Sequence, residues 1–219
     1  MSKKKSIVFD MDGIIFDSEQ LVLKTWKIYA NEYNLKNIEE SFLSCVGTTR
    51  ESTRKRMHEI YGEDFKYDEF REKASALFHK TAAEKGLPVK KGAKELLEYL
   101  RKENYKIGLA SSTRLMIVEQ ELKQAGLFDY FDVVIGGDLL KKSKPEPDIY
   151  LMACEKLNVN PEDTYAVEDS YNGIKSAYSA GMKAIMVPDL LKPTEEISKL
   201  CYTVCKDLFE VGEFIKRDV

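Results

Sequence analysis

Five brief apolar runs constrain this chain more than any other feature of it. They are SIVF at residues 6–9, KIGLA at 106–110, VVI at 133–135, YAV at 165–167 and AIMV at 184–187. Each is closed by a polar residue, a glycine or a proline. Runs this short and this continuous read as strands buried on both faces, which is the habit of a parallel sheet. Helical periodicity fills the intervals. Ala93, Leu96, Leu97 and Leu100 fall at i, i+3, i+4 and i+7, Ile149, Met152, Ala153 and Leu157 repeat the pattern loosely, and Ile174, Ala177 and Tyr178 do so again. Strand alternating with helix predicts an α/β fold built on an open, doubly wound parallel sheet.

The interval between the first two runs breaks this rhythm. A crossover between parallel strands needs only about a dozen residues, yet residues 18–85 form a long stretch with helical patterning and no convincing strand. Val22, Trp26, Tyr29, Ala30 and Tyr33 mark one amphipathic helix, and residues 49–60 and 68–84 mark others. The surplus reads as an inserted all-helical cap over residues 17–85, sitting over the carboxyl edge of a core made from residues 1–16 and 86–219. Pro88 and Gly92 punctuate the return to that core.

Bulk properties exclude several functions. With 34 Lys and Arg against 37 Asp and Glu, the formal net charge is -3, which gives no electrostatic footprint for nucleic acid. The basic start MSKKKS is followed by no long apolar run, so neither a signal peptide nor a membrane span is expected. Cys45, Cys154, Cys201 and Cys205 form no C-x-x-C pair, and His58 and His79 are far in sequence from all but Cys45. Zinc is therefore not expected; reduced, mostly buried thiols in a cytoplasmic protein are.

Ligands of open α/β sheets bind beyond the carboxyl ends of the strands. Asp10-Met11-Asp12-Gly13 follows the first run and Ser111-Ser112-Thr113 the second. Lys144, in SKPEPDIY, follows the third, and Glu168-Asp169 follows the fourth. Carboxylates gathered at one edge raise one another's pKa unless a cation sits among them. Oxygen ligands without His or Cys favour Mg2+. A hydroxyl and a lysine suit a multiply oxygenated anion such as a phosphoryl group. There is no G-x-x-x-x-G-K-[ST] loop, so a P-loop is excluded. Gly13 permits a sharp turn after the strand, which lets Asp10 attack phosphorus while Asp12 handles the proton.

Taken together, DMDGIIFDSE, LASST, SKPEPDIY and VEDSYNGI resemble the four ordered motifs of the haloacid dehalogenase superfamily, in the branch with a helical cap. The resemblance covers nearly the whole chain. It implies a Rossmann-like core, with Asp10 as the nucleophile that forms an aspartyl-phosphate and Asp12 as general acid, then base. It implies Mg2+ held by Asp10, the carbonyl of Asp12 and Asp169, with Glu168 a ligand or a nearby carboxylate. Ser111, Ser112 and Lys144 would contact the phosphoryl group, Lys144 also neutralising charge.

Within that branch the resemblance implies either a phosphatase acting on a small phosphorylated metabolite or a β-phosphoglucomutase. Arg50 is similar to a cap arginine that contacts a distal phosphate in the mutases, or else it is a solvated helix-start residue. Mutases carry a histidine where this chain has Val22, which cannot hydrogen-bond, and FDSE at residues 16–19 looks more like the phosphatases. A phosphatase is therefore expected, with a sugar phosphate as first choice of substrate; a non-catalytic sensor on the same fold is the remaining alternative. Glu19 is placed to reach substrate from the hinge, Trp26 and Tyr29 could line a pocket, Asp138 could shape the metal loop, and Lys73, His58 and His79 read as structural or solvated. No nucleic-acid or membrane partner is expected, and the default is a monomer.

Overall fold

The computed structural model describes residues 5–46, 48 and 50–218. The chain divides into two compact units, one formed by Met1–Asp17 with Pro88–Val219 and the other by Ser18–Leu87. The second unit consists of α1 (Ser18–Glu32), α2 (Ile38–Leu43), α3 (Arg50–Tyr61) and α4 (Tyr67–Lys85). The first unit holds strands β1 (Ser6–Phe9), β2 (Lys106–Ser111), β3 (Val133–Gly136), β4 (Thr164–Glu168), β5 (Lys183–Met186) and β6 (Thr203–Val204). Its helices are α5 (Ala93–Lys102), α6 (Leu115–Gln124), α7 (Asp148–Leu157), α8 (Tyr171–Ser179), α9 (Glu195–Ser198) and α10 (Leu208–Arg217).

All strand pairs are parallel, in the order β3-β2-β1-β4-β5-β6. β1 is central, and all four of its residues are buried, as a continuous apolar run requires. Its one polar member, Ser6, shares a 2.7 Å hydrogen bond with Thr164 of β4. On one face Val8, Ala110, Ala166, Ala184 and Met186 pack with Ile149, Ala153 and Leu157 of α7 and with Ile174 and Ala177 of α8. Small residues let α7 come close: a Cβ at Gly108 would lie 3.0 Å from Cδ1 of Leu157. On the other face Phe9 meets Phe131 edge-on at 6.5 Å, and Tyr165 meets Phe214 of α10 at 6.2 Å. Each such buried side chain stabilises the fold by about 1.5–3 kcal/mol relative to exposure.

β6 and α10 lie beyond the five expected strands. β6 has only two residues, too few for a periodic signal. α10 carries an amphipathic stripe of Leu208, Val211 and Ile215, starts on Asp207, whose carboxylate accepts from the Glu210 N–H at 2.9 Å, and packs against α5.

The helical unit has its own core. Trp26 meets Phe42 and Phe70 edge-on at 5.1 and 5.3 Å, and Tyr33 meets Phe65 and Phe70 at 6.2 and 5.8 Å. Lys73 pairs with Glu32 at 2.6 Å and Glu69 at 3.2 Å on the solvated face of α4. Among the described residues no helix is long and apolar enough to cross a membrane. Cys45, Cys154 and Cys205 are buried, Cys201 is half-buried, and all four are free thiols.

Register carries the fold to the site. Phe9 is level with Leu109 on one side and Val167 on the other. The next residue on each strand is therefore Ala110, Asp10 and Glu168, side by side at the carboxyl edge. The Asp10 N–H donates to the Val167 carbonyl at 2.9 Å, which fixes its height.

Candidate active site

Asp10, Glu168 and Asp169 each offer one carboxylate oxygen, and the three oxygens lie within 4.8 Å of one another. One amine enters this group. Lys144, with a side chain 7% exposed, donates to Asp10 Oδ1 and Glu168 Oε1 at 2.6 Å each and to the Ala110 carbonyl at 3.1 Å. It arrives from the loop before α7 rather than from a strand end.

Glu168 is fully buried and saturated with donors. Its Oε1 also accepts from the hydroxyl of Tyr150 at 2.8 Å. Its Oε2 faces the Asp169 N–H at 3.2 Å, the Ser170 N–H at 3.3 Å and the Ser170 hydroxyl at 3.1 Å. The Ser170 hydroxyl in turn accepts from the Gly173 N–H and caps α8. Glu168 thus ties the lysine to the loop that presents Asp169. Gly173 leaves room for it, since a Cβ there would fall about 2 Å from the Glu168 carboxylate.

One ammonium stands among three carboxylates, and Asp10 and Asp169 register the imbalance. Burial, with Glu168 and Asp12 adding to it and Lys144 opposing it, pushes Asp10 up to about 7. Burial, then Glu168, Asp10 and Asp189, pushes Asp169 well up as well. Burial alone would lower Lys144, but the charges of Asp10 and Glu168 outweigh it and raise that amine. This oxygen-only donor set with surplus negative charge fits a hard divalent cation.

The turn after β1 brings Asp12 back toward this edge. Gly13 has φ of 76°, and its N–H donates to the Phe16 carbonyl at 2.9 Å. A Cβ at Gly13 would lie 2.3 Å from Asp169 Oδ2, so glycine is required there for space as well as for conformation. Asp12 is half-buried and its Oδ2 lies 3.4 Å from the Thr113 hydroxyl. Ser111, fully buried at the end of β2, accepts from the Thr113 N–H at 3.1 Å. Ser112 is exposed.

Other expected residues lie elsewhere. Arg50 begins α3 and pairs with Asp68 at 3.1 Å, beside Arg54 at 2.6 Å. With Glu19, Val22, Trp26, Arg71 and His79 it lines a cavity of about 450 Å³ within the helical unit, whose lining does not include Tyr29. His58 faces Glu63 at 3.3 Å. Asp138 accepts from the Leu115 N–H at 2.8 Å and so holds the start of α6.

Sequence reasoning missed Tyr150, Glu121 and Asp189. Tyr150 closes the SKPEPDIY run, and the apolar spacing of its helix is silent about its hydroxyl. Glu121 on α6 has a buried carboxylate oxygen without a hydrogen bond, and burial with the charge of Asp12 pushes it up to about 7. No motif marks it.

The sequence profile of the haloacid dehalogenase-like hydrolases matches residues 7–187. A phosphorylated carbohydrates phosphatase of Thermotoga maritima is 30% identical over 83% of this chain and 83% of its own length. A β-phosphoglucomutase of Bacillus subtilis is 32% identical over 84% of this chain and 83% of its own. Among solved structures, a β-phosphoglucomutase of Clostridium difficile superimposes with a TM-score of 0.70 at 25% identity, covering 98% of this chain and 96% of that one.

Proposed function

This chain belongs to the haloacid dehalogenase-like hydrolases, and from that premise we propose that it is a magnesium-dependent phosphatase that hydrolyses a small phosphorylated metabolite, a sugar phosphate by first choice. The carrying observation is Lys144, whose amine lies 2.6 Å from both Asp10 and Glu168 at the open end of the central strand.

In this reading an Asp10 oxygen attacks phosphorus, the new O–P bond forms as the ester O–P bond breaks, and Asp12 gives its proton to the departing alkoxide. Asp12 then takes a proton from water as the water oxygen attacks the aspartyl-phosphate, releasing phosphate and restoring Asp10. Ser111, Ser112 and Lys144 face the transferring oxygens, and Lys144 offsets charge as it moves between Asp10 and phosphate. Asp10, the Asp12 carbonyl and Asp169 would hold Mg2+, with Glu168 fixing their surroundings; the ion would supply charge neutralisation at the phosphoryl oxygens. Glu19 and Arg50 are assigned to the rest of the substrate, and the helical unit to choosing it.

One feature of this chain favours water as the acceptor over a sugar hydroxyl. Val22 lines the helical unit's cavity with an aliphatic side chain, and valine cannot hold a general acid in reserve. The relatives themselves include both a phosphatase and a mutase. Release of inorganic phosphate from a panel of phosphate esters, with Mg2+ and with chelator, tests the reading. Activity that needs Mg2+ and vanishes in Asp10→Asn is expected. Incubation with β-glucose 1-phosphate and a bisphosphate primer separates the rival: glucose 6-phosphate appearing faster than free phosphate would make the protein a mutase.

A further inference from the structure

Beyond the main carboxylate group lies a further buried carboxylate with an unanswered oxygen. Asp189 sits in the loop after β5, and its side chain is 9% exposed. Its Oδ1 accepts from Lys90 Nζ at 2.5 Å, while its Oδ2 is buried and receives no hydrogen bond. Leaving such an oxygen without a donor is destabilising, and buried acceptors of this kind are normally met by water or an ion.

The fold places Asp189 beside the Asp169 loop. β5 is the neighbour of β4, and the Val187 N–H donates to the Glu168 carbonyl at 2.7 Å. The loop bearing Asp189 therefore leaves the sheet alongside the loop bearing Asp169. The charge of Asp189 is among those felt by the Asp169 carboxyl. Lys90 holds Asp189 by one oxygen, also reaches Asp17 Oδ1 at 3.7 Å, and is itself fixed by its N–H bond to the Ile15 carbonyl at 2.9 Å. A side chain tethered this way has one acceptor left to give.

We propose that Asp189 is an outer-sphere carboxylate of the cation site: its Oδ2 accepts a hydrogen bond from a water carried by the divalent ion, while Lys90 anchors the other oxygen. Mg2+ dehydrates reluctantly and keeps several waters, so an acceptor for one of them adds to its retention. The inference rests on the reading of Asp10 and Asp169 as ligands.

Titration calorimetry of Mg2+ into the metal-free full chain tests it without recourse to activity. Asp189→Asn should weaken Mg2+ binding by about tenfold, while Asp17→Asn, which removes a carboxylate from the same lysine, should change it less than twofold. Should Asp189→Asn not fold, as judged by its melting curve, Asp189→Ala serves in its place with the same expectation. Mg2+ affinity within twofold of wild type in the Asp189 variant overturns the proposal. Equal weakening in Asp17→Asn also overturns it, since that would be a general loss of negative charge. Wild-type protein that binds no Mg2+ would instead remove the parent reading of Asp10 and Asp169, and this inference with it.

Discussion

The hydroxyl of Tyr150 donates to Glu168 Oε1 at 2.8 Å, inside the core and on the same oxygen that takes Lys144. Tyr150 is fully buried, and the Lys144 amine lies 5.1 Å from the centre of its ring. One side chain therefore braces both the carboxylate that orders the Asp169 loop and the amine that meets Asp10. Tyr150→Phe keeps the ring and removes only the donor. A loss of about 1–3 kcal/mol is expected in urea unfolding, with a fall in kcat and little change in KM.

Lys144→Met leaves Asp10 and Glu168 facing each other without the ammonium. Removing one partner of a buried charge pair costs about 3–5 kcal/mol. Stability should fall by that order and phosphate release should be lost. Denaturation at pH 5 and pH 8 checks the cause: the deficit should be smaller at pH 5, where Asp10 holds its proton.

The pH dependence of the metal-free protein follows from Asp10, whose carboxyl is raised from 3.8 to about 7. A group that keeps its proton longer when folded stabilises the fold fully below its unfolded pKa, and that contribution is lost as the pH rises through the folded pKa. Asp169 shifts in the same direction. The melting temperature without metal should therefore decline between about pH 4 and pH 7, by at least ~5 °C. Asp10→Asn should flatten the decline, and saturating Mg2+ should reverse it at pH 8. A metal-free melting temperature that rises across this range would contradict the assignment.

Gly13→Ala introduces a Cβ 2.3 Å from Asp169 Oδ2 at a residue with φ of 76°. Asp169 or the turn must move. Mg2+ affinity, read by calorimetry, should fall by about tenfold or more, and stability by about 1–2 kcal/mol from the backbone alone.

Asp12→Ala separates acid catalysis from attack. Esters with good leaving groups need little protonation, so p-nitrophenyl phosphate should retain far more activity than an alkyl phosphate. Equal losses on the two would count against Asp12 as the proton donor.

What was legible in the sequence followed from where the strands end. Asp10, Ser111 and Glu168 each close or follow a run of buried residues, so their meeting at one edge is a consequence of parallel register. Lys144 is different. It comes from a loop ahead of α7, and no periodicity assigns it to the site; only the SKPEPDIY run drew attention to it. Tyr150 and Asp189 are silent in the sequence for opposite reasons. Tyr150 sits in a helix whose apolar spacing accounts for its burial and is silent about where its hydroxyl bonds. Asp189 follows a strand, but Pro188 between them makes the stretch read as an ordinary turn. The two-residue β6 is too short to carry a pattern, whereas the stripe of α10 is written in the sequence.

The central position of β1 bears on how the protein is made. Its partners are β2 and β4, and Ser6 meets Thr164, 158 positions further along the chain. At about 5–20 residues per second on the ribosome, roughly ten to thirty seconds pass before the second partner exists. The helical unit is synthesised in that gap and can fold on its own contacts, while the apolar strand that leads into Asp10 waits unpaired. The nascent chain is therefore most vulnerable at its N-terminal end, and slowing translation between residues 88 and 164 should lower the yield of soluble protein more than the same pause placed after residue 187.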